Sequence, residues 1–453
     1  MSRQLFGTDG IRGVAGEFLT AELALSLARA AVRILADPGS SSRPQVLIVR
    51  DTRESGEMLE AAMAAGISAA GGDALLAGVL PTPAAPLLLR RYGLQLAVVI
   101  SASHNPYHDN GIKLFAANGF KLDDDTELAI EAAMSDVEPP AAGRAAEIGR
   151  VRTLEGALEN YLQELHVHFS HLDLTGRRVL LDCAHGATFR AGPEMFRRLG
   201  AEVTVLCDAP DGRNINAGCG STHVEALSET MAGGAHDVGF AFDGDGDRML
   251  AVDADGTVVD GDELIALSAL HLQGIGRLTG GGVAVTVMTN YGFHTAMAAA
   301  GIEVATTAVG DRYVLDELRR RGWRLGGEPS GHILDLDFGP SGDGIASALQ
   351  TMEALGGRDL RARHAMEKLP QKLVNIRASD RSQLSAAMAA EPVRAAISAA
   401  SEELTGRGRV LVRASGTEPL VRVMVEAPTL EETDMLCARL AAVVGATLTA
   451  PSV

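Results

Sequence analysis

Asp243-Gly244-Asp245-Gly246-Asp247-Arg248 decides how this chain reads. The stretch follows an apolar run with strand character, 238–242, and precedes another at 249–253. Three carboxylates at alternate positions, with glycine between them, can curl and aim their oxygens at one point. Unpaired, they would repel each other strongly, so a hard dication is the natural resident. A calcium EF-hand would need glycine at the sixth position and glutamate at the twelfth, where this chain has Arg248 and Ala254. That leaves magnesium, which takes few carboxylates and completes its octahedron with phosphate oxygens and water. Alone, the stretch reads equally well as a polar glycine–aspartate loop. The metal reading therefore asks for phosphate-handling parts elsewhere.

With 453 residues the chain exceeds one ordinary core, and its length suggests roughly three or four domains. Hydrophobic residues make up 46% and aromatic ones 4%, which fits aliphatic, alanine-rich cores. The formal net charge of −18 argues against nucleic acid or an anionic membrane as partner. Lysine occurs only at 113, 121, 368 and 372, so arginines inside motifs carry the positive charge an anion would need. Cys183, Cys207, Cys219 and Cys437 are scattered without CxxC spacing, as expected of free thiols in a reducing compartment. No apolar signal core opens the chain and no run approaches membrane-spanning length, so a cytoplasmic protein is expected.

Outward from the aspartates, apolar strand-like runs alternate with helical ones. The first block, 1–152, contains helix 20–36, strand 45–49, a helix through 58–70 and strand 96–100. A hairpin follows, 112–115 and 120–122, turned at Asn118-Gly119. Helix 124–134 and a proline-rich linker at 137–144 complete the block. Block 153–256 has strands 179–182, 203–207 and 238–242. Block 257–370 has helices 262–272, 293–300, 313–320, 345–355 and 360–368, with strands 283–288, 304–308 and 333–336. Block 371–453 differs: strands 373–376, 410–412 and 420–425 flank helices near 381–404 and 429–444. The expectation is α/β: three similar domains with mixed sheets plus a smaller C-terminal α+β domain, around a central cleft. Ligands of open α/β sheets sit beyond the carboxyl ends of strands, and the loops at Ser103, the aspartates and Glu328 hold such positions.

Ser103 lies just past strand 96–100 and precedes His104-Asn105-Pro106. No GxSxG elbow occurs, and a serine at a strand end is often only a turn residue. A phosphoryl group on Ser103 would supply the oxygen that magnesium lacks, and its charge would explain Arg248 beside the aspartates; Ser101 is not excluded by these residues. Arg413-Ala-Ser415-Gly416-Thr417-Glu-Pro419, with Arg422 beyond, has the parts of an anion nest or of an ordinary glycine turn. Gly326-Gly-Glu328-Pro-Ser330-Gly-His332 places a carboxylate where vicinal sugar hydroxyls could donate to it, or is a solvated turn. Phe6-Gly-Thr-Asp-Gly-Ile-Arg12-Gly13 suggests close backbone approach to an anion, or is a frayed terminal loop, and no Walker A or dinucleotide fingerprint occurs.

Together with Asp109-Asn-Gly-Ile-Lys113 and Val309-Gly-Asp-Arg-Tyr-Val314, these segments in this order resemble the α-D-phosphohexomutase superfamily across essentially the whole chain. The resemblance implies a phosphoserine at Ser103 and magnesium held by Asp243, Asp245, Asp247 and that phosphoryl group. It implies sugar contacts from Glu328, Ser330 and the Gly310-Asp311 loop, and a grip on the non-reacting phosphate by Arg413, Ser415, Gly416, Thr417 and Arg422. Arg12, His104, Lys113, Arg248 and His332 match cationic or proton-handling positions, with Lys113 or His332 better suited as base than Arg12. The implied reaction converts glucosamine 6-phosphate to glucosamine 1-phosphate through a sugar 1,6-bisphosphate that also serves as activator, feeding amino-sugar nucleotide and cell-wall precursor synthesis. A cap that excludes water would protect the phosphoserine, and a homodimer is a possible assembly.

Members acting on glucosamine phosphate usually carry glutamine or asparagine after the sugar-loop glutamate; here Pro329 offers neither side-chain hydrogen bond nor N–H. Phosphoglucomutase or phosphomannomutase activity is the alternative. An alternative of another class, a non-catalytic magnesium-dependent sugar-phosphate sensor, would not need a transferable phosphoryl group.

Overall fold

The computed structural model describes residues 4–7, 9–35, 43–135, 148–415 and 418–449. The expected linker at 137–144 lies outside them. In chain order the first elements are β1 (Ile11–Val14), α1 (Ala21–Leu35), β2 (Gln45–Arg50), α2 (Ser55–Ala69) and β3 (Asp73–Val79). After them come α3 (Ala84–Tyr92), β4 (Leu96–Ile100), β5 (Asp109–Ala116), α4 (Asp124–Ser135) and β6 (Val151–Thr153). Their sheet runs β1-β5-β4-β2-β3-β6. It is mixed: β3, β2 and β4 are parallel, while β5 is antiparallel to both β4 and β1. Val46 to Val49 are buried on both faces of β2, as expected of a strand covered by helices on each side. Helix α1 buries Ala24, Leu27, Ala28 and Ala31, the i, i+3, i+4, i+7 stripe that its sequence carries.

Next come α5 (Ala157–His168), β7 (Arg178–Asp182), α6 (Thr188–Arg198), β8 (Glu202–Leu206), α7 (Glu225–Ala232), β9 (Val238–Phe242), β10 (Met249–Val252) and β11 (Val258–Val259). Their sheet order is β11-β10-β9-β7-β8. Then follow α8 (Gly261–Gly274), β12 (Gly282–Thr286), α9 (Tyr291–Ala299), β13 (Glu303–Thr307), α10 (Asp311–Arg321), β14 (Leu325–Gly327), β15 (Ile333–Asp335) and α11 (Gly344–Leu355), with sheet order β13-β12-β14-β15. Last are β16 (Gln371–Arg377), α12 (Ser382–Ala389), α13 (Glu391–Glu403), β17 (Arg409–Ala414), β18 (Leu420–Glu426) and α14 (Leu430–Thr449). Their antiparallel sheet, β16-β18-β17, lies on a core that includes Val421, Val423, Leu436 and Leu440.

Two compact units result, one of Met1–Val287 with Ala305–Arg363 and one of Met288–Val304 with His364–Val453. Helix α9 belongs to the second unit, where the Tyr291 N–H donates to Glu426 Oε2 at 2.7 Å and Asn290 exchanges hydrogen bonds with the Leu369 backbone.

Some expected elements change. The hairpin's second arm shrinks to one bridge, Phe115 to Lys121, because Asp123 at once accepts from the Thr126 N–H to open α4. The expected helix 360–368 is a single 3-10 turn, Leu360–Ala362. Gly356 and Gly357 have already ended α11 in left-handed geometry, and His364, at φ 23°, prevents continuation. Helix 381–404 breaks before Glu391, where Pro392 opens a new helix lacking the N–H that continuity requires. Gly326 and Gly327 form strand β14 rather than loop.

Candidate active site

The chemistry-bearing loops of the first unit leave the carboxyl ends of β2, β4, β9 and β14. After β4 the chain turns at Ser103, whose φ of 53° is left-handed. A non-glycine residue in that region costs energy, and three buried hydrogen bonds to its backbone hold it there. Its N–H donates to Ser101 Oγ at 2.9 Å, and its carbonyl accepts from Arg53 Nη2 and Asn216 Nδ2, each at 2.9 Å. Ser101 Oγ in turn donates to Asp51 Oδ2 at 2.6 Å. Arg53, fully buried, pairs with Asp51 and donates to the carbonyls of Ser103, Asn105, Pro106 and Asp109. One guanidinium thus fixes the shape of the whole loop.

Ser103 Oγ donates to Asp243 Oδ2 at 2.5 Å and lies 3.3 Å from His104 Nδ1. Such closeness requires Gly244, because a Cβ there would stand 2.6 Å from the Ser103 carbonyl oxygen. Gly246 takes a left-handed φ of 72° and brings the third aspartate back toward the first two. One oxygen from each of Asp243, Asp245 and Asp247 lies within 4.8 Å of the others. Asp245 Oδ2 accepts from Thr82 Oγ1 at 2.6 Å and Lys113 Nζ at 2.9 Å, whereas its Oδ1 is buried with no hydrogen-bond partner. A buried carboxylate oxygen without a donor is costly, and a cation among the three aspartates would satisfy it. Oxygen donors only, converging beside a hydroxyl, suit a hard dication.

Cations surround the triad. Lys113 Nζ lies 3.1 Å from Asp9 and 3.6 Å from Asp247, and Lys121 bridges Asp9 and Asp311. Burial opposes the charge on Lys113, but Asp245, Asp9 and Asp247 outweigh it and hold its pKa well above the usual value. Likewise burial works against the His332 imidazolium, yet Asp247, 3.4 Å away, and Asp311 raise its pKa to about 9. His104 moves the other way: burial, Arg248 and Arg12 lower its pKa and favour the neutral ring. Asp243 is pushed well up by burial and by Asp247 and Asp245, whereas Asp247, despite burial, is held low by His332 and Lys113.

A cavity of about 430 Å³ opens onto this cluster, lined among others by Arg12, Ser103, Asp247, Arg248, Glu328 and His332. Gly310 and Asp311 also line it, and Glu328 Oε1 accepts from the Gly310 N–H at 3.0 Å. Ser330 stands in the turn closed by the Gly331 N–H on the Glu328 carbonyl, its Oγ buried and without a partner. Lys113 lies behind the aspartates with 1% of its side chain exposed.

In the second unit, Arg413 and Arg422 are direct cross-strand partners on β17 and β18. Burial and the neighbouring Arg422 charge both lower the Arg413 pKa, and Arg422 Nε is buried without a partner. Ser415 Oγ accepts from the Glu418 N–H at 3.2 Å. Gly416 and Thr417 lie outside the described residues.

Asp9, Lys121, Thr82, Asn216 and the Asp51–Arg53 pair escaped the sequence reading. The signal for that pair was present: Asp51-Thr52-Arg53 directly follows the apolar run of β2, the kind of position already flagged at Ser103.

Residues 3–140, 159–256, 260–373 and 373–443 match, in turn, the alpha/beta/alpha domains I, II and III and the C-terminal domain of phosphoglucomutase/phosphomannomutase. A phosphoglucosamine mutase of Moorella thermoacetica is 50% identical over 444 residues, spanning 96% of this chain and 98% of its own. Another, from Rhodococcus jostii, is 49% identical over 445 residues, spanning 97% and 99%. Among solved structures, a phosphoglucomutase/phosphomannomutase family protein of Burkholderia thailandensis superposes with TM-score 0.82 at 24% identity, over 100% of this chain and 99% of that one. An Aspergillus fumigatus N-acetylphosphoglucosamine mutase, crystallised with GlcNAc-6P and magnesium, gives TM-score 0.68 at 19% identity, over 98% and 96%. These two likenesses speak to the fold alone. No described helix is long and apolar enough to cross a membrane.

Proposed function

The chain belongs to the phosphoglucomutase/phosphomannomutase family and is an enzyme, an isomerase that works by phosphotransfer; from that premise we propose that it interconverts glucosamine 6-phosphate and glucosamine 1-phosphate in the cytoplasm. The observation that carries this reading is Ser103 Oγ, held in a strained turn 2.5 Å from Asp243 Oδ2 at the mouth of the aspartate cluster. Phosphorylated Ser103 gives its phosphoryl group to the sugar's free hydroxyl. The phosphorus–Oγ bond breaks, a bond to the sugar oxygen forms, the hydroxyl proton passes to a base, and Oγ takes up a proton as it leaves. The resulting 1,6-bisphosphate turns over, and its other phosphoryl group returns to Ser103 as the Oγ proton leaves.

Phosphoryl transfer needs alignment and charge neutralisation more than covalent help. Asp243, Asp245 and Asp247 would hold magnesium with a phosphoserine oxygen; when bound, it neutralises charge on the transferring group. Arg12, Arg248 and the His332 imidazolium add positive charge along the cavity. Lys113, locked among three carboxylates, keeps the triad together. His104, 3.3 Å from Ser103 Oγ with its neutral form favoured, is better placed than Lys113 or His332 to take a proton in this geometry. Glu328, Ser330, Gly310 and Asp311 bind sugar hydroxyls. Arg413, Ser415, Gly416, Thr417 and Arg422 bind the non-reacting phosphate, whose charge relieves the repulsion between the arginines. The four domains of the reading are 1–152, 153–256, 257–370 and 371–453.

The test is a side-by-side assay of glucosamine, glucose and mannose 6-phosphates with magnesium and a trace of the matching 1,6-bisphosphate. Glucosamine 6-phosphate should turn over fastest. Faster turnover of glucose or mannose phosphate would move the assignment to the phosphoglucomutase or phosphomannomutase reading, which Pro329 keeps in play. The purified chain should be about one phosphate heavier than its sequence, and Ser103→Ala should lose both that mass and all turnover while melting like the parent. Robust mutase activity in Ser103→Ala would sink the nucleophile. An unmodified chain inert to bisphosphate would favour a sensor.

A further inference from the structure

Behind the serine loop, three segments of the first unit bring together side chains that the phosphotransfer reading leaves unused. His185 lies in the loop after β7, Cys207 directly follows β8, and Cys219 lies in the segment between β8 and α7. One ligand atom from each lies within 4.8 Å of the others. In a tetrahedral zinc site, sulfur and nitrogen at about 2.3 and 2.0 Å from the metal stand roughly 3.5 to 3.8 Å apart, so small side-chain shifts suffice to close around an ion. Nδ1 of His185 is buried and has no hydrogen-bond partner. Cys219 is 1% exposed and Cys207 half-buried, and both thiols are free.

The backbone under these groups is tied down. The His185 N–H donates to the Cys207 carbonyl at 2.6 Å, the Cys183 N–H to the Leu206 carbonyl at 3.1 Å, and the Asn216 N–H to the Ala184 carbonyl at 2.9 Å. Asp182, beneath them, accepts from the backbone N–H of Ala184 and of Gly220 at 2.9 and 2.8 Å. The donor set therefore sits on a frame that does not have to assemble around the ion, which lowers the ordering entropy of binding.

We propose that His185, Cys207 and Cys219 form a second metal site, one for zinc or a similarly thiophilic dication, with a fourth position taken by water. Two thiols and an imidazole are a soft donor set that magnesium, bound through oxygens, does not favour. The site is thus chemically orthogonal to the aspartate triad and independent of which sugar phosphate the enzyme prefers. Binding replaces two thiol protons by the metal, Zn²⁺ + 2 R–SH giving a bis-thiolate and two H⁺, so affinity falls as pH falls. The bound ion would clip the β7 and β8 loops to the segment whose Asn216 holds the Ser103 and Asn105 carbonyls.

The full chain, made without added histidines and kept reduced, is loaded with zinc and passed through a desalting column in magnesium buffer. Elemental analysis should find about one zinc per chain. Cys207→Ser and His185→Gln should each weaken zinc by more than about tenfold in competition with a chromogenic chelator, roughly 1.4 kcal/mol or more; Asp243→Asn should not. Should the cysteine variant fail to fold, cobalt added to the unsubstituted chain serves instead, and a thiolate-to-cobalt charge-transfer band is expected. No retained zinc, zinc held equally by all variants, or a cobalt spectrum without that band overturns the site. So does a chain two hydrogens lighter that binds no metal, the mark of a Cys207–Cys219 disulfide.

Discussion

Arg413 and Arg422 oppose each other on adjacent strands, an arrangement that costs stability unless an anion intervenes. Replacing Arg413 with alanine should therefore raise KM for the phosphosugar by tenfold or more while leaving the melting temperature unchanged or slightly higher. An unchanged KM would remove the phosphate-binding role. Asp343 makes a residue-scale prediction of the opposite kind. It caps α11 through the Ala346 N–H and accepts from Tyr161 Oη at 2.8 Å, yet burial raises its pKa to about 6. A folded-state pKa above the unfolded value near 3.8 means that the native state holds this proton more tightly. The group destabilises the fold above pH 6, by on the order of 3 kcal/mol, and the penalty fades as pH falls toward 4. Asp343→Asn keeps the cap without the charge, so its stability advantage over the parent should be largest at pH 7 and close toward pH 4 in denaturant titrations. A gap independent of pH would refute the assignment. Single residues were unevenly legible: three aspartates at alternate positions announce a metal loop, but nothing local marks Asp9, Thr82 or Asn216 as their partners. Those pairings exist only once distant segments fold together.

At the scale of elements, long periodic runs read well and short edges did not. Helix α1 and strands β2, β4, β7 and β9 declare themselves by their apolar stripes, because burial against a sheet or helix selects those residues directly. Strand β1 has no such pattern; its pairing with β5, Ile11 against Ile112 through Val14 against Asp109, is set from outside. Glu131 on α4 supplies part of that support, its carboxylate accepting from the N–H groups of Gln4, Leu5 and Phe6. Charge-assisted bonds of this kind contribute about 1.5–3 kcal/mol. Glu131→Gln should accordingly speed amide exchange across residues 4–14 and lower kcat/KM several-fold, since Asp9 and Arg12 ride on that segment, with little change in the global melt. Unaltered exchange there would show that the carboxylate is dispensable.

For the molecule as a whole, the sequence reading anticipated the α/β character and a smaller α+β domain at the C-terminal end, without the antiparallel pairing of its sheet. It did not anticipate that α9, mid-chain, packs with that end, because helix periodicity says which face is buried but not against what. The chain's one tryptophan, Trp323, belongs to the larger unit and is 5% exposed beside Gly280 and Gly282. Its fluorescence therefore reports on that unit alone, whereas far-ultraviolet circular dichroism reports on both. A smaller unit buries a smaller fraction of its surface, so on heating dichroism should lose amplitude before tryptophan emission shifts. Superimposable transitions would mean that the two units unfold as one.

The grip of Arg53 on four successive-loop carbonyls has a corollary for design. Copying residues 101–109 into another scaffold would transplant the nucleophile without the hand that shapes it. The smallest portable module is discontinuous: two neighbouring parallel strands, with the acid and guanidinium from the tip of one and the serine turn from the tip of the other.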